Sequence, residues 1–266
     1  MNGTPGVDVV SSTSAAAAGS GTLTPFNRRL ETTGTCPRRV ELPPMRLIAH
    51  RGFAANQPEN TLRAVEEASA IADEVELDVR RCGSGELVVI HDERIDRVTD
   101  GEGRVDDHSL AELQALDVLG TGQGVPALAD LLAEVPANVG VTLDLKEEGT
   151  GADAVAHVRA HHPQTVASSF IPSILEECLE ADPAVPRAVI AADDADCLEV
   201  AVAYDCDYVH LALDVCTDRR VAEAHRVGMS VNAWTVDSRT EAEAMAALGV
   251  DGVIADRWGV LPEASM

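Results

Sequence analysis

The chain has 266 residues and a formal charge of −25, with 45 acidic residues against 20 basic ones, of which Lys146 is the single lysine. That length fits one large domain, or two small ones, with ample material for a buried core. The charge excludes nucleic acid and anionic membrane surfaces as partners, because phosphate contacts need clustered Lys and Arg.

In chain order, residues 1–44 are rich in Ser, Thr, Gly and Ala and carry four arginines against three acids, so the acidity belongs to residues 45–266. Such a segment cannot bury enough apolar area to offset its ordering entropy, and a disordered, low-complexity tail is expected there. The folded domain is expected over 45–266; Met45 stands immediately before the first strand-like run, so a start codon called too early is an open reading. From there, short apolar runs alternate with amphipathic helical segments. The strand-like runs are "RLIAH" (46–50), "EVELDV" (74–79), "GVTLDLK" (140–146), "TVASSF" (165–170), "RAVIA" (187–191), "YVHLA" (208–212), "SVNAWTV" (230–236) and "GVIAD" (252–256). Between the first two lies "NTLRAVEEASAIA", a helical pattern for which Asn60 is the expected N-cap. Eight strands with intervening helices predict an α/β fold, a (β/α)₈ TIM barrel.

One run breaks the alternation. "ELVVIHD" (86–92) reads as a strand, yet only "RRCGSG" separates it from "EVELDV". A parallel crossover needs a dozen or more residues. The run therefore reads as part of a small hairpin-containing insertion after the second strand, from about Arg81 to about Gly124, with a helix in "SLAELQALD".

Candidate chemistry emerges from strand faces. Glu76 and Asp78 are two apart and share a face, as do Asp144 and Lys146. Both pairs lie toward strand C-termini, where barrel enzymes build their sites. Each acid alone reads equally well as a solvated strand-end residue. Two such strands together favour a hard divalent cation, Mg²⁺ or Ca²⁺, held by Glu76, Asp78 and Asp144. His50 ends the first strand and His91 the inserted one; two histidines can act as general base and general acid around one centre. The remaining histidines read as structural, with His210 the one able to point into the barrel. Adjacent strand residues face opposite ways, so Arg51 and His50 can share a pocket only if the chain leaves the strand there, which Gly52 permits.

"AHRG", "PENT", "ELDV" and "GELVVIHDERIDRVTDGEGRV", in this order and spacing, resemble the glycerophosphodiester phosphodiesterase family. "LDLK", "SSF", "AWTVD" and "GVDGVIADR" continue the likeness over nearly all of 45–260. The resemblance implies a TIM barrel and metal-dependent hydrolysis of glycerophosphodiesters, a small-molecule substrate, to glycerol 3-phosphate and an alcohol. It implies His50 and His91 as the acid/base pair, Glu76, Asp78 and Asp144 as metal ligands, Arg51 and Lys146 on the phosphate, and Trp234 lining the pocket. Two positions depart from the family: Asp144 stands where Glu is usual, and Ala255 replaces a threonine before Asp256. Asp256 reads equally as a strand-end cap, and Glu59 as a support for Arg51 or a charge at a helix N-terminus. The alternatives are a phospholipase D-like activity on intact lipids and a catalytically silent barrel that binds a phosphorylated ligand. The acidic surface and few aromatics argue against stable membrane association.

Acidic, lysine-poor and aromatic-poor compositions are those of proteins working in molar salt, so a salt-accumulating source, a halophilic archaeon, is expected. The six cysteines show no CxxC spacing and read as reduced thiols. With no apolar run near the roughly 20 residues that span a bilayer, and no secretory signal evident, a cytoplasmic location is expected.

Overall fold

The computed structural model describes residues 45–193 and 197–261; the tail expected over 1–44, with Cys36, lies outside the described residues. Among the described residues one sheet holds nine strands: β1 (Arg46–Ala49), β2 (Glu74–Arg81), β3 (Leu87–Val89), β4 (Gly140–Leu145), β5 (Thr165–Ser169), β6 (Arg187–Ala191), β7 (Tyr208–Ala212), β8 (Ser230–Trp234) and β9 (Gly252–Ala255). All but β3 are parallel, and β1 pairs with both β2 and β9, so eight strands close into a barrel. The helices between them are α1 (Leu62–Ser69), α3 (Leu128–Glu134), α4 (Gly151–His161), α5 (Pro172–Ala181), α6 (Cys197–Ala203), α7 (Asp218–Arg226) and α8 (Arg239–Leu248); the short α2 (Leu110–Gln114) lies between β3 and α3.

Two-residue alternation divides each strand between two environments. On β2, Val75, Leu77 and Val79 join the main apolar core together with Leu128, Leu131 and Leu132 of α3. Glu74, Glu76 and Asp78 take the other face and are buried inside the barrel. β4 repeats this, with Val141, Leu143 and Leu145 in the core and Thr142 and Asp144 inside. Glu76 lies opposite Thr142, and Asp78 opposite Asp144, in the β2–β4 register. Inward carboxylates are costly unless paired, so the barrel must hold their partners.

β3 runs antiparallel to β2, with Arg81 opposite Leu87 and Val79 opposite Val89. The insertion it opens has a separate small core that includes Val88, Ile90, Ile95, Val98, Leu113 and Val125. α2 is started by a capping box between Ser109 and Glu112. Gly124 closes the segment under Gln114, whose carbonyl oxygen would lie 2.1 Å from any added Cβ. That contact admits glycine only.

Strand ends differ from the sequence expectation where a polar loop takes over. β1 stops at Ala49 and β3 at Val89, so His50 and His91 both lie just beyond strands. Asn60 is not the cap of α1: Thr61 is, its side chain accepting from the Ala64 amide at 3.2 Å.

Candidate active site

The sharpest local feature is the exit from β1. His50–Gly52 form a single helical turn in which Arg51 takes φ 51° and Gly52 φ 76°. A Cβ on Gly52 would stand 2.7 Å from the Ala64 side chain, so α1 packs against bare backbone there. The turn aims both His50 and Arg51 into the barrel mouth, and the Arg51 amide donates to Glu76 Oε2 at 3.0 Å.

That mouth is a cavity of about 250 Å³. Seven of the eight residues expected in the site border it: His50, Arg51, Glu76, His91, Asp144, Lys146 and Trp234. Asp78 lies beneath them, fully buried. One oxygen from each of Glu76, Asp78 and Asp144 lies within 4.8 Å of the others. Lys146 hydrogen-bonds Asp144 and holds its Nζ 2.8 Å from Asp78 Oδ1, while Arg51 Nε stands 3.2 Å from Asp78 Oδ2. Neither contact to Asp78 has hydrogen-bond alignment, and Asp78 Oδ1 and Asp144 Oδ1 are buried without an accepted hydrogen bond. Hard divalent cations take such oxygens. The donor set therefore fits one, and Glu76, Asp78 and Asp144 are the residues that would hold it.

Burial and charge push these acids apart. Burial, reinforced by the Asp78 charge, raises Glu76 to about 7. Asp78 is just as buried, but Lys146 and Arg51 outweigh that and pull it to about 2. Burial likewise raises Asp144, against the opposing pull of Lys146.

Each histidine is oriented by a carboxylate. His50 Nδ1 meets Asp256 Oδ1 at 2.6 Å, leaving Nε2 toward the cavity, 3.9 Å from Glu76. Burial alone would lower His50, yet the Asp256 bond and the Glu76 charge raise it. His91 Nδ1 meets Asp92 Oδ1 at 2.7 Å. Arg97 then grips Asp92 at 2.6 and 3.1 Å and Glu59 at 2.7 and 2.9 Å, and Glu59 in turn accepts from Arg51 at 3.2 Å. Hydrogen bonds to Arg97 hold Asp92 down at about 2. One chain of contacts thus joins Asp78 to His91 by way of Arg51, Glu59, Arg97 and Asp92.

Four of these residues stand outside the site expected from the sequence. Asn60, expected as a cap, stands at φ 59° and donates to Asp78 Oδ2 at 2.8 Å while accepting from the Asp78 amide at 3.3 Å. The signal was "ENT", in which Asn and Thr are both good caps and only one can be. Asp256 partners His50 instead of capping a strand, and neither Asp92 nor Arg97 carries a signal in the sequence pattern.

A protein-family model described as the glycerophosphoryl diester phosphodiesterase family matches residues 50–260. The chain belongs to this family. It is 31% identical over 240 residues to the glycerophosphodiester phosphodiesterase of Caldanaerobacter subterraneus subsp. tengcongensis, a match covering 79% of this chain and 93% of that one. Among solved structures it resembles an Oleispira antarctica phosphodiesterase in complex with the product sn-glycerol-3-phosphate (TM-score 0.73, 28% identity, 79% of this chain and 92% of that one). It also resembles the glycerophosphodiester phosphodiesterase of Agrobacterium tumefaciens str. C58 (TM-score 0.72, 27% identity, 81% and 98%). Membership in the glycerophosphoryl diester phosphodiesterase family makes the chain an enzyme. No helix among its described residues is long and apolar enough to cross a membrane.

Proposed function

We propose that the chain hydrolyses glycerophosphodiesters to sn-glycerol 3-phosphate and an alcohol, using His50 and His91 as its proton-transfer pair and Mg²⁺ or Ca²⁺ on Glu76, Asp78 and Asp144. The observation that carries this is convergence on one cavity: two carboxylate-oriented histidines, a three-carboxylate cluster and two buried cations. A bound divalent cation would supply Lewis-acid stabilisation of charge on the phosphoryl oxygens.

The protein's own groups do the rest. One histidine Nε2 takes the proton from the attacking oxygen as that oxygen bonds to phosphorus; attack by water gives glycerol 3-phosphate directly, whereas attack by the substrate's glycerol hydroxyl gives a cyclic phosphate whose ring water then opens. The other gives a proton to the alkoxide as its bond to phosphorus breaks, so the alcohol leaves neutral. Arg51 and Lys146 lie where non-bridging oxygens gain charge, and their stabilisation counts most at the transition state. Trp234, held by its indole N–H on the His210 carbonyl at 3.1 Å, walls the pocket beside Phe170. Cys82, Cys178, Cys206 and Cys216 are buried and form no disulfide, which supports a reducing, cytoplasmic setting.

The test is release of sn-glycerol 3-phosphate from glycerophosphocholine, with and without chelator. Activity should vanish with chelator and return with divalent metal, and His50→Ala and His91→Ala should each retain the fold and lose nearly all turnover. Chelator-insensitive hydrolysis, or full turnover in either variant, would refute the assignment.

A further inference from the structure

Proton transfer by His50 and His91 leaves one cavity-lining histidine without a task. His210 sits on β7, across the barrel from β2 and its carboxylates, beside Ile190 in the β6–β7 register. Its neighbours decide its protonation state. An arginine only donates, so Arg46 Nη2, 3.2 Å from Asn232 Oδ1, fixes which end of that amide is the oxygen. The opposite end, Nδ2, is then a donor and stands 3.1 Å from His210 Nε2. His210 Nε2 must accept, so the ring is neutral and its proton lies on Nδ1. Burial, with Arg46 nearby, agrees by holding His210 down at about 3.

The Nδ1–H makes no hydrogen bond to any described residue. Nor is it among the buried atoms that lack a partner, which are Arg51 Nε, Ser69 Oγ, Asp78 Oδ1 and Asp144 Oδ1. His210 lines the cavity, and its Nδ1–H is the donor it has left to offer there. The cavity therefore offers cations on the β1, β2 and β4 side and one neutral donor on the far wall.

We infer that His210 is a specificity-determining residue whose neutral Nδ1–H donates to a hydroxyl of the substrate's glycerol. This rests on the phosphodiesterase reading, which seats the phosphate by Arg51 and Lys146. A neutral donor suits an uncharged hydroxyl, whereas the anionic oxygens find better partners in the guanidinium and ammonium. Depth points to the glycerol rather than the variable head group. His210 is 1% exposed and sits mid-strand, while Phe170, at 46%, marks the open rim. The invariant part of the substrate belongs at the closed end. A site built to pair a hydroxyl rejects the analogue that lacks it, because the buried donor is then left unsatisfied.

The experiment compares kcat/KM for glycerophosphocholine with that for the two propanediol phosphocholines, each lacking one glycerol hydroxyl. The wild type should lose about 10- to 100-fold on one analogue, mainly in KM. His210→Leu should reduce that discrimination to about 3-fold or less, and His210→Gln, which keeps an N–H donor, should recover part of it. Far-UV circular dichroism establishes that both variants are folded. Undiminished discrimination in His210→Leu, or an equal loss on all three substrates, would overturn the inference while leaving the phosphodiesterase reading intact. Failure of the wild type to cleave any of the three would overturn both.

Discussion

Arg97 joins the carboxylate that orients His91 to the carboxylate that holds Arg51, and Arg97→Gln tests whether that matters. Its side chain is 48% exposed, against 12% for Glu59 and 28% for Asp92. At that exposure each forked pair contributes about 1 kcal/mol or less. The variant should thus lose only about 1–2 kcal/mol of stability, a fall of roughly 2–4 °C in Tm for a domain of this size. Turnover should suffer far more. Without Arg97 nothing fixes Asp92, which sets the His91 ring, and a misplacement of about 1 Å at a reacting group costs on the order of 100-fold. The assay is initial-rate release of sn-glycerol 3-phosphate at saturating substrate, well below the Tm, beside a urea titration. Expected are a kcat lower by about 100-fold and a KM changed little. Because Glu59 acts on Asp92 through the same guanidinium and on Arg51 directly, Glu59→Gln combined with Arg97→Gln should lose less than the sum of the two single losses. Arg97→Lys, a point charge in place of a fork, should recover stability more than turnover. A kcat within about 3-fold of wild type, or fully additive losses in the double variant, would refute this positioning role.

Other perturbations read different parts of the molecule. Lys146→Arg should keep stability within about 1 kcal/mol but lower kcat by about 100-fold, since a planar fork cannot replace a compact ammonium between Asp78 and Asp144; kinetics beside urea unfolding decide it. His210 is held at about 3 in the folded state against 6.5 unfolded, so between those values the unfolded chain binds the extra proton. Its contribution is complete above pH 6.5 and is lost as the pH falls, by about 2 kcal/mol at pH 5. Urea midpoints of His210→Gln should therefore fall less steeply than wild type from pH 7 to pH 5, and equal slopes would contradict the neutral ring. Arg187, 1% exposed, donates to the carbonyls of Pro183, Val185, Tyr204 and Asp205. Arg187→Met strands those oxygens and should cost roughly 3–5 kcal/mol by denaturant unfolding, with residual folded enzyme fully active.

What the sequence disclosed tracks strand periodicity. Glu76 with Asp78, and Asp144 with Lys146, could be placed together because residues two apart on a strand share a face, and the barrel then brings β2 beside β4. The same alternation allowed His210 to point inward. It could not say which nitrogen carries the proton, because that depends on Arg46 acting through Asn232, 186 positions away. Asp256 reaches His50 across 206 positions, and Arg97 reaches Glu59 across 38, both from loops where no period constrains the side chain. Asn60 was misplaced by one residue for a related reason. Asn and Thr are both favoured caps, Asn the more so, and what removes Asn60 from the cap is the Asp78 carboxylate, a tertiary partner.

The charges around the cavity explain why a chain with 45 acids keeps its single lysine there. Three carboxylates packed with Arg51 and Lys146 leave one buried negative charge in excess. The isolated protein relieves part of that excess by raising Glu76 to about 7, so that the acid is about half-protonated at neutrality. A divalent cation on the cluster would turn the excess into one positive charge, the complement of a singly charged phosphodiester. Removing Lys146 would cancel that complement, leaving a neutral site with no electrostatic preference for the anion, and a fourth carboxylate would have the same effect. The residues that look like surplus cations beside a metal site are what set its charge to match the substrate's.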